Sequence, residues 1–184
     1  MDYISDSEIK AIVKSTLEKL GEKEAGSAGD EHIRVIAIGS DHGGFNMKQS
    51  LIPYLEELGC QVIDCGPENA DSVDYPDFAF KVAELVSKRK VYRGIMIDGA
   101  GIGSCMTANK VPGVRAAMCY DYATASNSRE HNDANYLTLG AGLIGLNQAK
   151  IIVKTFLNTE FGGGRHAKRV DKIMDIESRF LKEG

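Results

Sequence analysis

An apolar run, Gly94-Ile95-Met96-Ile97, ends in a carboxylate, Asp98, and breaks at once into Gly99-Ala100-Gly101-Ile102-Gly103. A buried strand that stops at a glycine-dense turn belongs to an open α/β sheet, where ligands bind at the carboxyl ends of the strands. Two readings fit this turn. Asp98 is either a base at the head of a ligand-binding loop or the capping residue of a tight strand-to-helix connection. Gly-x-Gly-x-Gly falls short of the dinucleotide fingerprint, and no Gly-Lys-Ser/Thr marks a P-loop.

The rest of the chain sets this turn in an alternating pattern. Residues 33–38, 61–65, 94–97, 114–118 and 136–139 read as strands. Residues 45–58, 76–88, 122–130, 147–157 and 168–181 read as helices, with Gly162, Gly163 and Gly164 as a break before the last. Strands that alternate with helices predict a five-stranded parallel sheet covered on both faces, a Rossmann-like three-layer α/β/α sandwich over residues 32–184.

Residues 1–20 stand apart. Ile9, Ile12, Val13, Thr16, Leu17 and Leu20 recur at helical spacing opposite Glu8, Lys10, Lys14, Glu18 and Lys19. Ser5 and Glu8 fit a capping box, Ile4 and Ile9 the hydrophobic staple, and Gly21 a stop. Residues 21–31 are Gly-, Ala-, Ser- and Glu-rich and read as a flexible linker. An amphipathic helix on a tether needs a partner for its stripe, supplied by its own domain, an oligomer or another protein.

With 184 residues, 43% hydrophobic and 26% charged, the chain has the composition of a globular domain with a small appendage. Its net charge of −4 argues against a nucleic-acid surface. No apolar run approaches a membrane span and no secretory signal opens the chain, so the expected location is cytoplasmic. Cys60, Cys65, Cys105 and Cys119 form no Cys-x-x-Cys pair, which points to reduced, buried thiols rather than disulfides or zinc ligands.

Three polar clusters can carry chemistry. Ser40-Asp41-His42-Gly43-Gly44 follows the first strand, where Asp41 and His42 can bond a polyol, or Asp41 can cap the next helix. Ser128-Arg129-Glu130-His131-Asn132-Asp133 ends a helix, and His131 there is an acid or base near neutral pH, or part of a solvated helix end. Arg165-His166-Ala167-Lys168-Arg169 puts two arginines on one helical face, which suits phosphate; an ordinary basic helix start is the other reading, although cations oppose the helix dipole there.

In this order the clusters resemble the type B ribose-5-phosphate isomerase family, which includes galactose-6-phosphate isomerase subunits. The carriers are the Gly39–Phe45 cluster, Asp74-Tyr75-Pro76, Asp98–Gly103 with Ala108-Asn109-Lys110, Gly113-Val114-Arg115-Ala116, Ser128–Asn135, and Gly163-Gly164-Arg165-His166 with Arg169-Val170. The resemblance implies an aldose–ketose isomerase that needs no metal or cofactor and works through an enediol. It implies dimers or tetramers with active sites between subunits. By position, Asp98 is the base, Asp41, His42 and Tyr75 contact the sugar, and His131 assists ring opening. Asn132 and the backbone of Gly99 and Gly103 hold the enediolate, and Arg165, His166 and Arg169 reach the phosphate of the partner's site.

The chain also departs from the family. One branch has a catalytic Cys where Asp98 stands and a Thr at Ala100; another has a Glu at Ser104; and an Arg for phosphate is common at Gly142. The expected substrate is ribose 5-phosphate. Another pentose, hexose or deoxy-sugar phosphate, or a catalytically degenerate sugar-phosphate binder, is the alternative. Residues 1–20 with their linker resemble the encapsulation peptides that tether enzymes to bacterial microcompartment shells, which implies a shell protein as partner and a microcompartment as location.

Overall fold

The computed structural model describes residues 33–181, so the helix expected over residues 1–20 and the linker over 21–31 lie outside the described residues. The elements run β1 (Arg34–Ser40), α1 (Phe45–Glu57), β2 (Cys60–Asp64), α2 (Tyr75–Ser87) and β3 (Arg93–Asp98). They continue through α3 (Ile102–Ala108), β4 (Ala116–Met118), α4 (Tyr122–Glu130), β5 (Tyr136–Gly140), α5 (Leu146–Asn158) and α6 (Ala167–Phe180). Only α3 was absent from the alternating pattern. Its seven residues are too few to establish a 3.6-residue periodicity.

All five strands pair in parallel, in the order β2-β1-β3-β5-β4. The chain leaves β1 toward one side for β2 and crosses to the other for β3, so the loops after β1 and β3 diverge. That divergence is a topological switch point, and it opens a crevice at the carboxyl edge of the sheet. β1 runs two residues further than its apolar pattern because Gly39 and Ser40 pair with Met96 and Ile97. β4 begins at Ala116 rather than 114 because the chain is still turning there: Val114 N–H donates to Val111 O and Arg115 N–H to Asn135 Oδ1.

Alternation along the strands divides the core into two faces. Ile36, Ile38, Ile95, Ile97, Leu137 and Leu139 pack on Leu51 and Leu55 of α1, Ala125 of α4, and Ile152, Val153 and Phe156 of α5. Each such large side chain removed from water contributes roughly 1.5–3 kcal/mol. On the other face α2 brings down Ala79, Val82, Ala83 and Val86, and the buried Tyr136 hydroxyl donates to Ala79 O at 3.0 Å. Next to it, Thr138 Oγ1 donates to Gly101 O at 2.8 Å and so ties the turn after β3 to β5.

Lys48 is wholly buried. Its ammonium donates to both oxygens of Asp64, at 2.6 and 2.7 Å, and to Pro67 O at 2.9 Å, which locks α1 to the end of β2. A charge is retained inside only when paired and hydrogen-bonded in this way. Among the described residues no helix is long and apolar enough to cross a membrane.

Candidate active site

The carboxyl edge is organised by Asp98. Its Oδ1 accepts the N–H of Ala100 at 2.9 Å and the N–H of Gly101. Its Oδ2 accepts the N–H of Ser104 at 3.1 Å and the Ser104 hydroxyl at 2.5 Å. Asp98 is 4% exposed, Ser104 fully buried. The capping arrangement allowed by the sequence is therefore present, and it folds the chain directly from β3 into α3. Gly101 completes the turn at φ +78°, a left-handed conformation that costs glycine little.

Around this turn stand the other residues expected at the sugar. Asp41 N–H donates to Ile97 O at 3.0 Å, and Asp41 Oδ1 accepts the Gly44 N–H at 2.8 Å, so this carboxylate also shapes its loop. The Val73 N–H donates to His42 Nδ1 at 3.3 Å. Tyr75, at the start of α2, lies against Gly103, where a Cβ would come within 2.5 Å of Tyr75 Cζ; any larger residue at 103 would displace the phenol. Above the turn, Gly142 N–H donates to Gly99 O at 3.0 Å, so position 142, without a side chain, roofs the glycine loop.

Cys105 is not a stand-in for a catalytic thiol. Its Sγ lies 3.5 Å from Ala116 O toward β4, and burial pushes its pKa up. The buried Cys119 is raised by burial to about 11.

The remaining candidates lie elsewhere. His131 caps the carboxyl end of α4, and its ring stacks on that of His166 with centroids 4.1 Å apart and planes 6° from parallel. Asn127 Nδ2 donates to His131 Nδ1 at 2.9 Å, which leaves Nε2 as the proton-bearing nitrogen of the neutral ring. Arg165 Nε donates to His166 Nε2 at 3.4 Å. The turn that carries His131 and Asn132 is clamped by Asp133, a left-handed residue at φ +46°. Arg129 and Arg115 each donate to one of its carboxylate oxygens at 2.8 Å. The neighbouring Arg93 guanidinium is pulled down to about 10 by burial and then by Arg129.

Direction along the sheet shows how far apart the groups are. α4 runs back from the end of β4 to the start of β5, so His131 and Asn132 sit at the amino edge, where Gly94 N–H bonds Asn135 O. Asp98 is at the opposite end of β3, four residues on from Gly94, or about 13 Å of strand at 3.3 Å per residue. The candidate residues thus fall into two groups: Asp41, His42, Tyr75, Asp98, Gly99 and Gly103 at one edge, and His131, Asn132, Arg165, His166 and Arg169 at the other. A groove of about 760 Å³ between α6 and the edge strand β4, lined by Arg115, Ala117, Ile173, Met174 and Phe180, borders Asn132 and not the glycine turn.

Comparison with known proteins places this architecture. The family model for ribose/galactose isomerases matches residues 36–173. A putative sugar phosphate isomerase of Bacillus subtilis is 47% identical over 147 residues, which span 79% of this chain and 99% of the relative. Ribose-5-phosphate isomerase B of Escherichia coli is 42% identical over 147 residues, 80% of this chain and 99% of the relative. The solved structure of ribose-5-phosphate isomerase B from Clostridium thermocellum is 52% identical, with a TM-score of 0.79 over 80% of this chain and 99% of that one.

The amino-edge cluster sets a titration. His166 is held below the ordinary histidine value of 6.5, first by desolvation and then by His131, Arg165 and Arg169, against a smaller opposing effect of Glu130. In the free protein its imidazole should therefore titrate below 6.5, and a bound dianion should raise the midpoint by favouring the charged ring. Histidine NMR titration with and without inorganic phosphate checks this. A free-protein midpoint at or above 6.5, or one that phosphate does not move, contradicts it.

Proposed function

The chain belongs to the ribose/galactose isomerase family, and from that premise we propose that it interconverts an aldose phosphate and a ketose phosphate, ribose 5-phosphate and ribulose 5-phosphate first among them. The observation that carries this reading is the division of labour between the edges. One edge presents carboxylates around an open glycine turn; the other presents two arginines and a histidine pair suited to a phosphate.

On the carboxyl edge, Asp41 and Asp98 are the carboxylates for proton transfer and turn geometry. His42 and Tyr75 flank the sugar hydroxyls, and the backbone of Gly99 and Gly103 faces the enediolate oxygen. Backbone donors stabilise developing charge without adding an exchangeable acid. On the amino edge, His131 serves ring opening, Asn132 helps hold the enediolate, and Arg165, His166 and Arg169 hold the phosphate. No cofactor or metal enters this scheme.

One subunit does not bring these halves together, so the working unit is a homodimer in which each site takes one half from each chain. The surface of α6 supports that assembly. Only Val170 of this helix is buried, while Ile173, Ile176 and Phe180 are 47%, 55% and 81% exposed. Such an apolar stripe beside an edge strand is the kind of surface a second copy covers. A hexose or deoxy-sugar phosphate is the second reading, because Gly142 puts no side chain over the turn.

The assay is ribose 5-phosphate isomerisation by the full chain, beside free ribose and other aldose phosphates. Arg165→Ala and Arg169→Ala should each raise KM about ten- to a hundredfold, the equivalent of about 1.5–3 kcal/mol per charged hydrogen bond, with kcat much less changed. Equal use of phosphorylated and free sugar by the wild type would rule out the phosphate cluster.

We further propose that residues 1–20 dock the enzyme on a microcompartment shell protein. Deleting residues 1–31 should leave isomerase activity intact and abolish co-purification with shell components; loss of activity or of the oligomer would make the segment part of the enzyme instead.

A further inference from the structure

Two carboxylates stand at the carboxyl edge, and they are not equally available. Asp98 has both oxygens committed to the turn, which takes four hydrogen bonds from Ala100, Gly101 and Ser104. To accept a proton from a substrate carbon it would have to surrender donors that hold the loop in shape. Asp41 commits one oxygen only, Oδ1, to the Gly44 N–H. Asp41 is itself 8% exposed. Among the described residues the side-chain atoms fully buried without a partner are Ser40 Oγ and Glu84 Oε2, so the second oxygen of Asp41, which accepts no bond, is not sealed inside the domain.

Asp41 is also in the right place. Its N–H is bonded to Ile97, the residue before Asp98, so it leaves β1 beside the head of the glycine turn. The loop stays close: a Cβ on Gly43 would lie 3.3 Å from Asp41 Oδ1 and 3.7 Å from Gly99 N. Gly99 itself is open, with nothing within 4 Å of where its side chain would begin. The Asp41 carboxylate and the open backbone of Gly99 therefore stand beside each other at the switch point.

We propose that Asp41 is the base that moves the proton between the two substrate carbons, and that Asp98 is a positioning residue that builds the turn. The proposal rests on the isomerase reading above. In the aldose-to-ketose direction, Asp41 Oδ2 takes the proton from C2 of the opened sugar. The C–H electron pair becomes the C1–C2 double bond, and the carbonyl pair moves onto O1. The O2 proton passes to O1, C2 becomes the carbonyl as the double-bond pair reaches back, and Asp41 returns its proton to C1. Nothing is oxidised or reduced overall, and the carboxylate is regenerated.

The test compares Asp41→Asn and Asp98→Asn in the full chain with ribose 5-phosphate in deuterated water, reading turnover and deuterium entry at the exchanging carbon by NMR. Asn at 41 retains an oxygen for the Gly44 N–H, so this variant should fold and assemble normally. Its turnover and deuterium incorporation should fall by about a hundredfold or more, with little change in KM. Asn at 98 turns an amide against the Ser104 N–H or the glycine N–H groups. It should lower the melting temperature and raise KM, while deuterium entry at saturating substrate stays within about tenfold of wild type.

If both variants lose exchange, formate added to Asp41→Gly and Asp98→Gly decides. Restoration in Asp41→Gly alone upholds the proposal; restoration in Asp98→Gly, or in neither, overturns it. Near-normal exchange by Asp41→Asn also overturns it. A wild-type chain that exchanges no sugar phosphate removes the isomerase reading itself, and the proposal with it.

Discussion

The hydrogen bonds that the Asp98 carboxylate accepts from the chain after it determine the geometry of the carboxyl edge. They turn β3 into α3 within three residues, and Thr138 secures the same loop to β5 through Gly101 O. Charge-assisted bonds of this kind are individually stronger than neutral ones, and four of them converge on one buried side chain. At Gly99 the turn leaves space, with nothing within 4 Å of where a Cβ would stand. Tyr75 can lie against Gly103, and Gly142 can bond Gly99 O, only because the loop is fixed in that shape.

A second constraint comes from parallel topology. Every helix between strands returns the chain to the amino edge, so what ends α4 or follows α5 is delivered to the far side from what ends β1 or β3. His131, His166 and Arg165 gather there, and the Asp133 clamp between Arg115 and Arg129 keeps the His131 turn in its left-handed bend. The proposed site, which uses both groups, is therefore one assembled from two copies. The exposed apolar face of α6 suits the proposed assembly, since a helix that buries only Val170 on its own domain contributes little stability there.

The layers were legible in the sequence because burial writes a period into it. Strand runs such as Gly94-Ile95-Met96-Ile97 and the turns at Gly39–Gly44 and Asp98–Gly103 marked both the sheet and its carboxyl edge. Which edge each candidate stands at was less legible. His131 and Asp98 read equally as site residues along the chain, and only strand direction separates them. Composition and spacing likewise do not show how a carboxylate is engaged. Asp98 admits a base or a cap until the Ser104 and Gly101 donors are located. Buried charges such as Lys48, and Arg93 and Arg129 beside the Phe156 ring, leave no periodic trace because each is stabilised by partners distant in sequence.

Joining the two edges across a subunit boundary is tested most directly by mixing. Subunits carrying Asp41→Asn and Asp98→Asn together lack the carboxyl-edge half, and subunits carrying Arg165→Ala and Arg169→Ala together lack the phosphate half. Each parent should be nearly inactive toward ribose 5-phosphate at low substrate. After co-refolding in equal amounts, random pairing should restore roughly a quarter of the wild-type activity, because each mixed dimer holds one intact site. A mixture with verified mixed dimers but no activity above that of the parents would contradict a site shared between subunits.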